Sequence, residues 1–141
     1  MSTSHRLQIN AAFLMLMGGG AAVADAVGHF FNRGPLAAAM FRAPLAISSF
    51  EAHLLALLFG IVLWTGAQRP DRRRLHVLSA TIHVILGGSN LLFFEPAFGS
   101  LDMRGFGVVI TACHFAFVLV QTLAALQLSR SAAEVSVRPA Q

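Results

Sequence analysis

The sequence predicts an all-α protein in which a bundle of four hydrophobic helices crosses a membrane as a single domain. Of its 141 residues, 56% are hydrophobic and only 11% are charged, whereas about a quarter of the residues in a soluble domain are charged. The stretches 7–24, 52–68, 75–94 and 105–129 contain no Asp, Glu, Lys or Arg. Each is close to the ~20 residues that a helix needs to cross the hydrocarbon core of a bilayer.

The first predicted helix covers residues 7–29. It ends before a connection, 30–44, whose two prolines and one glycine break helices. Small residues at 18–22 predict that this helix packs closely against a neighbour, with Gly19 as the position where a larger side chain would disturb the packing. The second predicted helix covers residues 45–67.

The third predicted helix covers residues 75–95 and follows a short basic turn at 68–74. The fourth covers residues 105–128, after a connection at 96–104 that contains proline, glycine and serine. The polar tail, residues 130–141, is expected to be disordered.

Composition and charge exclude several classes of protein and predict an orientation. Ten basic and six acidic residues are too few for a soluble domain or a nucleic-acid-binding module, and the single cysteine excludes an internal disulfide. All the basic residues are arginines, which favour the cytoplasmic side of a membrane. With both termini in the cytoplasm, seven arginines lie on that side and three on the other. The cytoplasmic seven are Arg6, Arg69, Arg72, Arg73, Arg74, Arg130 and Arg138, and the other three are Arg33, Arg42 and Arg104.

Polar residues inside the predicted helices are candidate functional residues, because polar groups are costly in a bilayer. On the third helix His76, His83 and Asn90 recur every seven residues and therefore share a face. A similar stripe on the fourth helix consists of Gly107, Thr111, His114 and Gln121. Two such stripes indicate helices that face a common interior, where the polar groups either form interhelical hydrogen bonds or line a ligand site.

His53 is a candidate haem ligand in the second helix. It lies about 12 Å from the outer end of that helix, at 1.5 Å per residue, and leucines at positions 54, 55, 57 and 58 surround it. An apolar environment of this kind suits an imidazole that binds a buried haem. His114 lies at a similar predicted depth, so a haem held by both histidines is an alternative.

Asp25 and His29 are a candidate metal site near the outer surface. They lie one helical turn apart in the first helix. With Glu51 or Glu95, they would provide ligands for copper or zinc. The simpler interpretation is a carboxylate–imidazole pair within reach of water.

Three short segments match the pattern of a known family. Residues 51–53 read Glu-Ala-His, and Gly60 follows the histidine by seven residues. Residues 87–94 read Gly-Gly-Ser-Asn-Leu-Leu-Phe-Phe, and residues 106–110 read Phe-Gly-Val-Val-Ile. They resemble three segments of the styrene oxide isomerase family. The first corresponds to the family's Arg-Ala-His and Asn-Gly, the second to Asp-Gly-Trp-Ala-Asn, and the third to Phe-Gly-Val-Ile. The similarity extends over nearly the whole chain.

The resemblance implies a haem b protein of the bacterial cytoplasmic membrane with four helices per protomer. The protomers would form a homotrimer with haem near their interfaces. His53 would be the axial ligand, and Asn90 would line the substrate pocket as a catalytic residue. Ferric iron would act as a Lewis acid on the oxygen of a small apolar epoxide, and a hydride shift would then give a carbonyl compound.

Four positions depart from the family pattern. Phe59, Leu86 and Phe94 stand where the family has Asn, Asp and Tyr, and Glu51 stands where it has Arg. The resemblance therefore implies a substrate pocket that is more apolar than the family's and suits a bulkier or more apolar epoxide.

Two other functions are compatible with the same residues. A membrane haem protein that carries electrons would use His53 with His114 or His83 as its two axial ligands. An accessory subunit of a larger membrane complex would bind no cofactor. A haem spectrum distinguishes the accessory subunit from the other two, and an open sixth position on iron distinguishes the isomerase from the carrier.

Overall fold

The computed structural model of the chain describes residues 1–44, 46–99 and 101–137, with side chains as far as residue 132. In these ranges the fold is all-α, as predicted, and contains no strand. The helices are α1 (Thr3–Phe31), α2 (Ala37–Met40), α3 (Ala46–Gly66), α4 (Arg72–Leu92) and α5 (Arg104–Val137), and a π-helical turn, Glu95–Gly99, precedes α5.

Four of the helices are long and apolar enough to cross a membrane. The spans are Thr3–Phe31, Ala46–Gly66, Arg72–Leu92 and the Arg104–Ala132 part of α5. Large apolar side chains such as Leu16, Leu55 and Val108 are exposed on them. In water such surfaces would be unfavourable, whereas in a bilayer they face lipid. The chain is therefore a multi-pass membrane protein, as the sequence predicts.

The ends of the helices differ from the predicted ends at several points. α1 begins four residues earlier, at Thr3, and ends where Asn32 adopts a left-handed backbone conformation with φ of 52°. Residues 130–137, part of the tail for which the sequence predicts disorder, continue α5 in the structure. Since neither glycine nor proline occurs between residues 108 and 138, nothing in the sequence stops the helix. Residues 138–141 lie outside the described part of the chain.

The chain divides into two compact units. In the unit Gln8–Thr65, α1 and α3 run antiparallel. A Cβ atom placed on Gly18 would lie 2.7 Å from both the backbone oxygen of His53 and the backbone nitrogen of Leu57. A Cβ atom placed on Gly60 would lie 2.8 Å from the backbone oxygen of Ala11. Helix backbones approach this closely only where a residue without a side chain separates them.

The close packing predicted for residues 18–22 is therefore present, but its critical position is Gly18 and not Gly19. A Cβ atom on Gly19 would make only an ordinary contact, 3.7 Å from a methyl group of Leu57, and one on Gly20 would have no atom within 4 Å. Because the helix turns 100° per residue, Gly19 points to one side of the closest approach and meets α3 only through the Leu57 side chain.

The second unit consists of Met1–Leu7 and the chain from Gly66 onward. Here α4 and α5 run antiparallel, and a Cβ atom on Gly87 would lie 3.2 Å from the Cβ of His114. The first turn of α1 is tied to the start of α4, because Arg72 Nε donates a hydrogen bond of 2.9 Å to Thr3 Oγ1. This arrangement brings the polar stripes of α4 and α5 into contact.

The close approach at Gly18 predicts opposite outcomes for two alanine substitutions in the same helix. Gly18→Ala should lower the free energy of unfolding by about 1–3 kcal/mol, because two backbone atoms would have to move to admit the methyl group. Gly20→Ala should not destabilise, since its methyl group enters open space. Thermal unfolding in detergent measures both, and equal behaviour of the two variants would contradict the packing described for α1 and α3.

Candidate functional site

A buried carboxylate joins α1 to α3 in the unit Gln8–Thr65. Asp25 is 1% exposed, and its Oδ2 accepts two hydrogen bonds from α3. His53 Nδ1 donates one at 2.7 Å, and Ser49 Oγ donates the other at 2.9 Å. Because Ser49 and His53 are four residues apart, one face of α3 presents both donors to the same oxygen. The second oxygen, Oδ1, is buried and has no hydrogen-bond partner among the described residues.

The hydrogen bond to Asp25 determines which nitrogen of His53 carries the proton. A carboxylate accepts, so Nδ1 bears the hydrogen, and in a neutral ring Nε2 keeps its lone pair. The side chain of His53 is 35% exposed. Leu54, Leu55 and Leu58 beside it are exposed as well. The result is an oriented imidazole with a free lone pair, set in an apolar surface.

The metal site proposed at Asp25 and His29 does not assemble. Asp25 pairs with His53, while His29 Nδ1 donates instead to the backbone oxygen of Met40 at 3.0 Å. Glu51 is exposed on α3. In the part of the chain that the structure describes, no three His, Cys, Asp or Glu side chains are arranged to hold a metal ion. The structure therefore brings Asp25 to His53 and Ser49 of α3 and not to His29.

Glu95, the remaining candidate for that metal site, lies in the other unit and forms an ion pair. Its Oε2 accepts a 2.8 Å hydrogen bond from Arg104 Nη2. The guanidinium of Arg104 lowers the pKa of the Glu95 carboxyl below its usual value. Both side chains are exposed, and exposed pairs of this kind contribute little to stability. The pair closes the turn between the π-helical segment and α5.

The polar stripes of α4 and α5 meet as the sequence predicts. His83 and His114 are buried, and their Nδ1 atoms lie 2.8 Å apart in a hydrogen bond. The ring of His83 also stacks on Phe117, with centroids 4.9 Å apart. One imidazole donates and the other accepts, so the interhelical hydrogen bond expected as the simpler interpretation is present.

A second buried contact lies near the N-terminal end of α4. His76 Nδ1 donates to Gln121 Oε1 at 2.5 Å, and Gln121 Nε2 donates to the backbone oxygen of Arg6 at 3.2 Å. Both side chains are fully buried. Gln121 therefore connects both α4 and the first turn of α1 to α5. His76 Nε2 has no hydrogen-bond partner among the described residues.

The residues that the resemblance assigns to the substrate pocket lie in both units. Leu86 and Asn90 lie one turn apart in the last part of α4, Phe94 follows the end of that helix, and all three are half-buried. Phe59 is half-buried on α3, in the unit that contains His53.

The pairing of Asp25 with His53 is the feature that the sequence analysis missed. A signal was present, because Asp25 and His29 on α1 and Ser49 and His53 on α3 are both pairs four residues apart. In an antiparallel pair of helices, residues at equal distances from the connection lie at equal depth. Matching the two pairs by depth would have placed the carboxylate opposite the imidazole.

Comparison of the chain with known protein families, with curated protein sequences and with solved structures gives no match.

Replacement of Gln121 tests the buried contact between α1, α4 and α5. Gln121→Leu should lower the free energy of unfolding by about 1–3 kcal/mol for each buried group that loses its partner. The groups affected are His76 Nδ1 and the Arg6 carbonyl. The matched control is Gln127→Leu, because Gln127 is exposed on the same helix. Unfolding in detergent should separate the two variants, and an equally stable Gln121→Leu protein would show that these hydrogen bonds are dispensable.

Proposed function

We propose that this chain is a membrane haem b isomerase that converts an epoxide to a carbonyl compound. The proposal is based on one observation, the 2.7 Å hydrogen bond from His53 Nδ1 to the buried carboxylate of Asp25. Histidines that bind metals usually donate their other ring nitrogen to a carboxylate or a carbonyl, which fixes the ring and makes the bound nitrogen more basic.

The residues around His53 fit a haem. Nε2 of His53, the ring nitrogen that does not bond to Asp25, is the kind of donor that haem iron would accept. The leucines at positions 54, 55 and 58 offer an exposed apolar surface on which a flat macrocycle can lie. A haem held by His53 alone would leave room on the iron for a substrate oxygen, which an isomerase requires and a carrier with two histidine ligands does not.

The chemistry that a ferric haem b supplies when bound is Lewis acidity toward an epoxide oxygen, which allows the C–O bond to open and a hydride to shift to the neighbouring carbon. In this proposal His53 would hold the iron through Nε2, and Asp25 would keep the proton on Nδ1. Asn90 donates its amide N–H to the substrate oxygen, as the resemblance implies. The resemblance also assigns Phe59, Leu86 and Phe94 to the substrate pocket, and apolar side chains of this kind would discriminate between epoxides by size.

The geometry of His83 and His114 gives less support to the electron-carrier function. In that function His114 or His83 would join His53 as the second ligand of the iron. The Nδ1 atoms of these two rings instead bond to each other at 2.8 Å. Their hydrogen bond serves the packing of α4 on α5 and uses one nitrogen of each ring.

The cellular setting forms part of the same proposal. The seven-to-three distribution of arginines favours cytoplasmic termini, and the resemblance favours a homotrimer in the bacterial cytoplasmic membrane. Exposure of the apolar surface beside His53 is compatible with haem at a contact between protomers. An apolar epoxide would reach such a site from the bilayer.

Haem content of purified variants tests the assignment of His53. His53→Ala should lose haem while the protein still inserts and folds, because the iron loses its axial nitrogen. His29→Ala, a matched control in the same unit, should keep it, since the proposal places the iron on His53 and not on His29. Absorption of the reduced pyridine complex per mole of protein measures haem. Full haem in His53→Ala, with loss in His114→Ala, would refute the assignment.

The role of Asn90 is tested by the rate of aldehyde formation from a panel of terminal aryl and alkyl epoxides. Asn90→Ala should lower the rate about 10- to 1,000-fold, the range for loss of one hydrogen-bond donor at a developing negative charge. Ser89→Ala, an exposed neighbour, is the control and should keep its rate. An unchanged rate in Asn90→Ala would remove this role, and no aldehyde from any epoxide with haem-loaded protein would contradict the proposed reaction.

A further inference from the structure

Five arginines gather at one end of the unit that consists of Met1–Leu7 and the chain from Gly66 onward. The hydrogen bond from Arg72 Nε to Thr3 Oγ1 joins the start of α4 to the start of α1. Arg6 follows Thr3 by three residues in α1, so both lie on the same side of that helix. The members of this arginine cluster are Arg6 of α1, Arg69 of the turn before α4, and Arg72, Arg73 and Arg74 of the first turn of α4.

The charge of the arginine cluster is largely unbalanced within the chain. Among the described residues, one carboxylate pairs with a member of the cluster, because Asp71 Oδ2 lies 3.1 Å from Arg74 Nε. Arg72 bonds to a neutral hydroxyl group. Arg69 and Arg73 are exposed, and no described carboxylate forms an ion pair with either. Both guanidinium groups are therefore available to an anion from outside the chain.

The position of three of these arginines in α4 is electrostatically unfavourable. The N-terminal end of a helix carries a partial positive charge, which favours acidic and disfavours basic side chains in the first turn. The first turn of α4 nevertheless contains three arginines and no acidic residue, and the side chain of Asp71 at the N-cap makes no capping hydrogen bond. An anion bound by the cluster would offset the repulsion among the arginines and between them and the helix end.

The cluster also lies where a bilayer presents phosphate groups. The arginines occur at the first residues of α1 and α4, which are both membrane-spanning helices. The headgroups of lipids lie just outside the hydrocarbon core that such helices cross. A guanidinium group matches a phosphate with two parallel hydrogen bonds. The phosphate of a lipid is thus the anion that this end of the chain meets in a membrane.

We propose that the arginine cluster binds the phosphate of an anionic phospholipid, with Arg69 and Arg73 providing the direct contacts. A zwitterionic phospholipid binds more weakly, because the positive group of its own headgroup balances the phosphate. This inference goes beyond the proposed isomerase function and does not rest on it. Arginines that served only to orient the helices in the membrane would show no such preference between lipids.

Two phospholipids with identical dioleoyl chains test the proposal, because phosphatidylglycerol is anionic and phosphatidylcholine is zwitterionic. The measurement is the thermal midpoint of the purified full-length protein in detergent as each lipid is added. Specific binding raises the midpoint along a saturating curve. Phosphatidylglycerol should saturate at a concentration at least about tenfold lower than phosphatidylcholine, as expected for hydrogen bonds between charged groups. Inorganic phosphate over the same range should give no saturating curve, since it lacks the chains that hold a lipid at this surface.

Two double variants locate the site. Arg69→Gln with Arg73→Gln should reduce the preference for phosphatidylglycerol to about threefold or less, the range for exposed charges that remain nearby. The matched control, Arg33→Gln with Arg42→Gln, removes the same charge from the connection that follows α1 and should keep the full preference. All four side chains are exposed, so both proteins should fold. If either does not, Arg73→Gln and Arg33→Gln alone provide the same comparison.

Three results would overturn the proposal. They are equal curves for the two lipids, an equal effect of inorganic phosphate, and the same lipid preference in the variant and its control. None of these results depends on haem content or on isomerase activity.

Discussion

The hydrogen bond between Asp25 Oδ2 and His53 Nδ1 is the interaction on which the proposed haem site depends. A carboxylate with 1% exposure inside a membrane-spanning helix is costly. Two donors from α3, His53 and Ser49, offset part of that cost. The same bond fixes the proton of His53 on Nδ1, leaves Nε2 with a lone pair, and leaves Oδ1 of the carboxylate without a described donor. The proposed haem ligand follows from this one contact.

The histidines of the other unit have a structural role, because they form buried hydrogen bonds between helices. His83 and His114 bond to each other, and His76 bonds to Gln121, so each contact joins two helices. The seven-residue spacing on α4 predicted this buried face correctly, because a helix brings residues seven apart to the same side. The four charge-free stretches likewise predicted the four membrane spans, since length and apolar composition alone determine whether a helix can cross a bilayer.

The contact between Asp25 and His53 was harder to predict from the sequence. Spacing within one helix identifies residues that share a face, but the choice of partner helix and the register between helices depend on how the backbones pack. Here Gly18 sets that packing, and its neighbour Gly19, which looks equivalent in the sequence, does not. The continuation of α5 to Val137 was missed for a different reason, because a polar tail was expected to lack order, whereas its residues are compatible with a helix.

The most direct test of the central claim is the electron paramagnetic resonance spectrum of the purified, oxidised protein. If His53 alone binds haem iron and the opposite side stays open, the ferric spectrum should be that of high-spin iron. Addition of imidazole should convert it to a low-spin spectrum as the sixth position fills. A low-spin spectrum with two histidine ligands before any addition, or protein that contains no haem after expression with ample haem supply, would contradict the account.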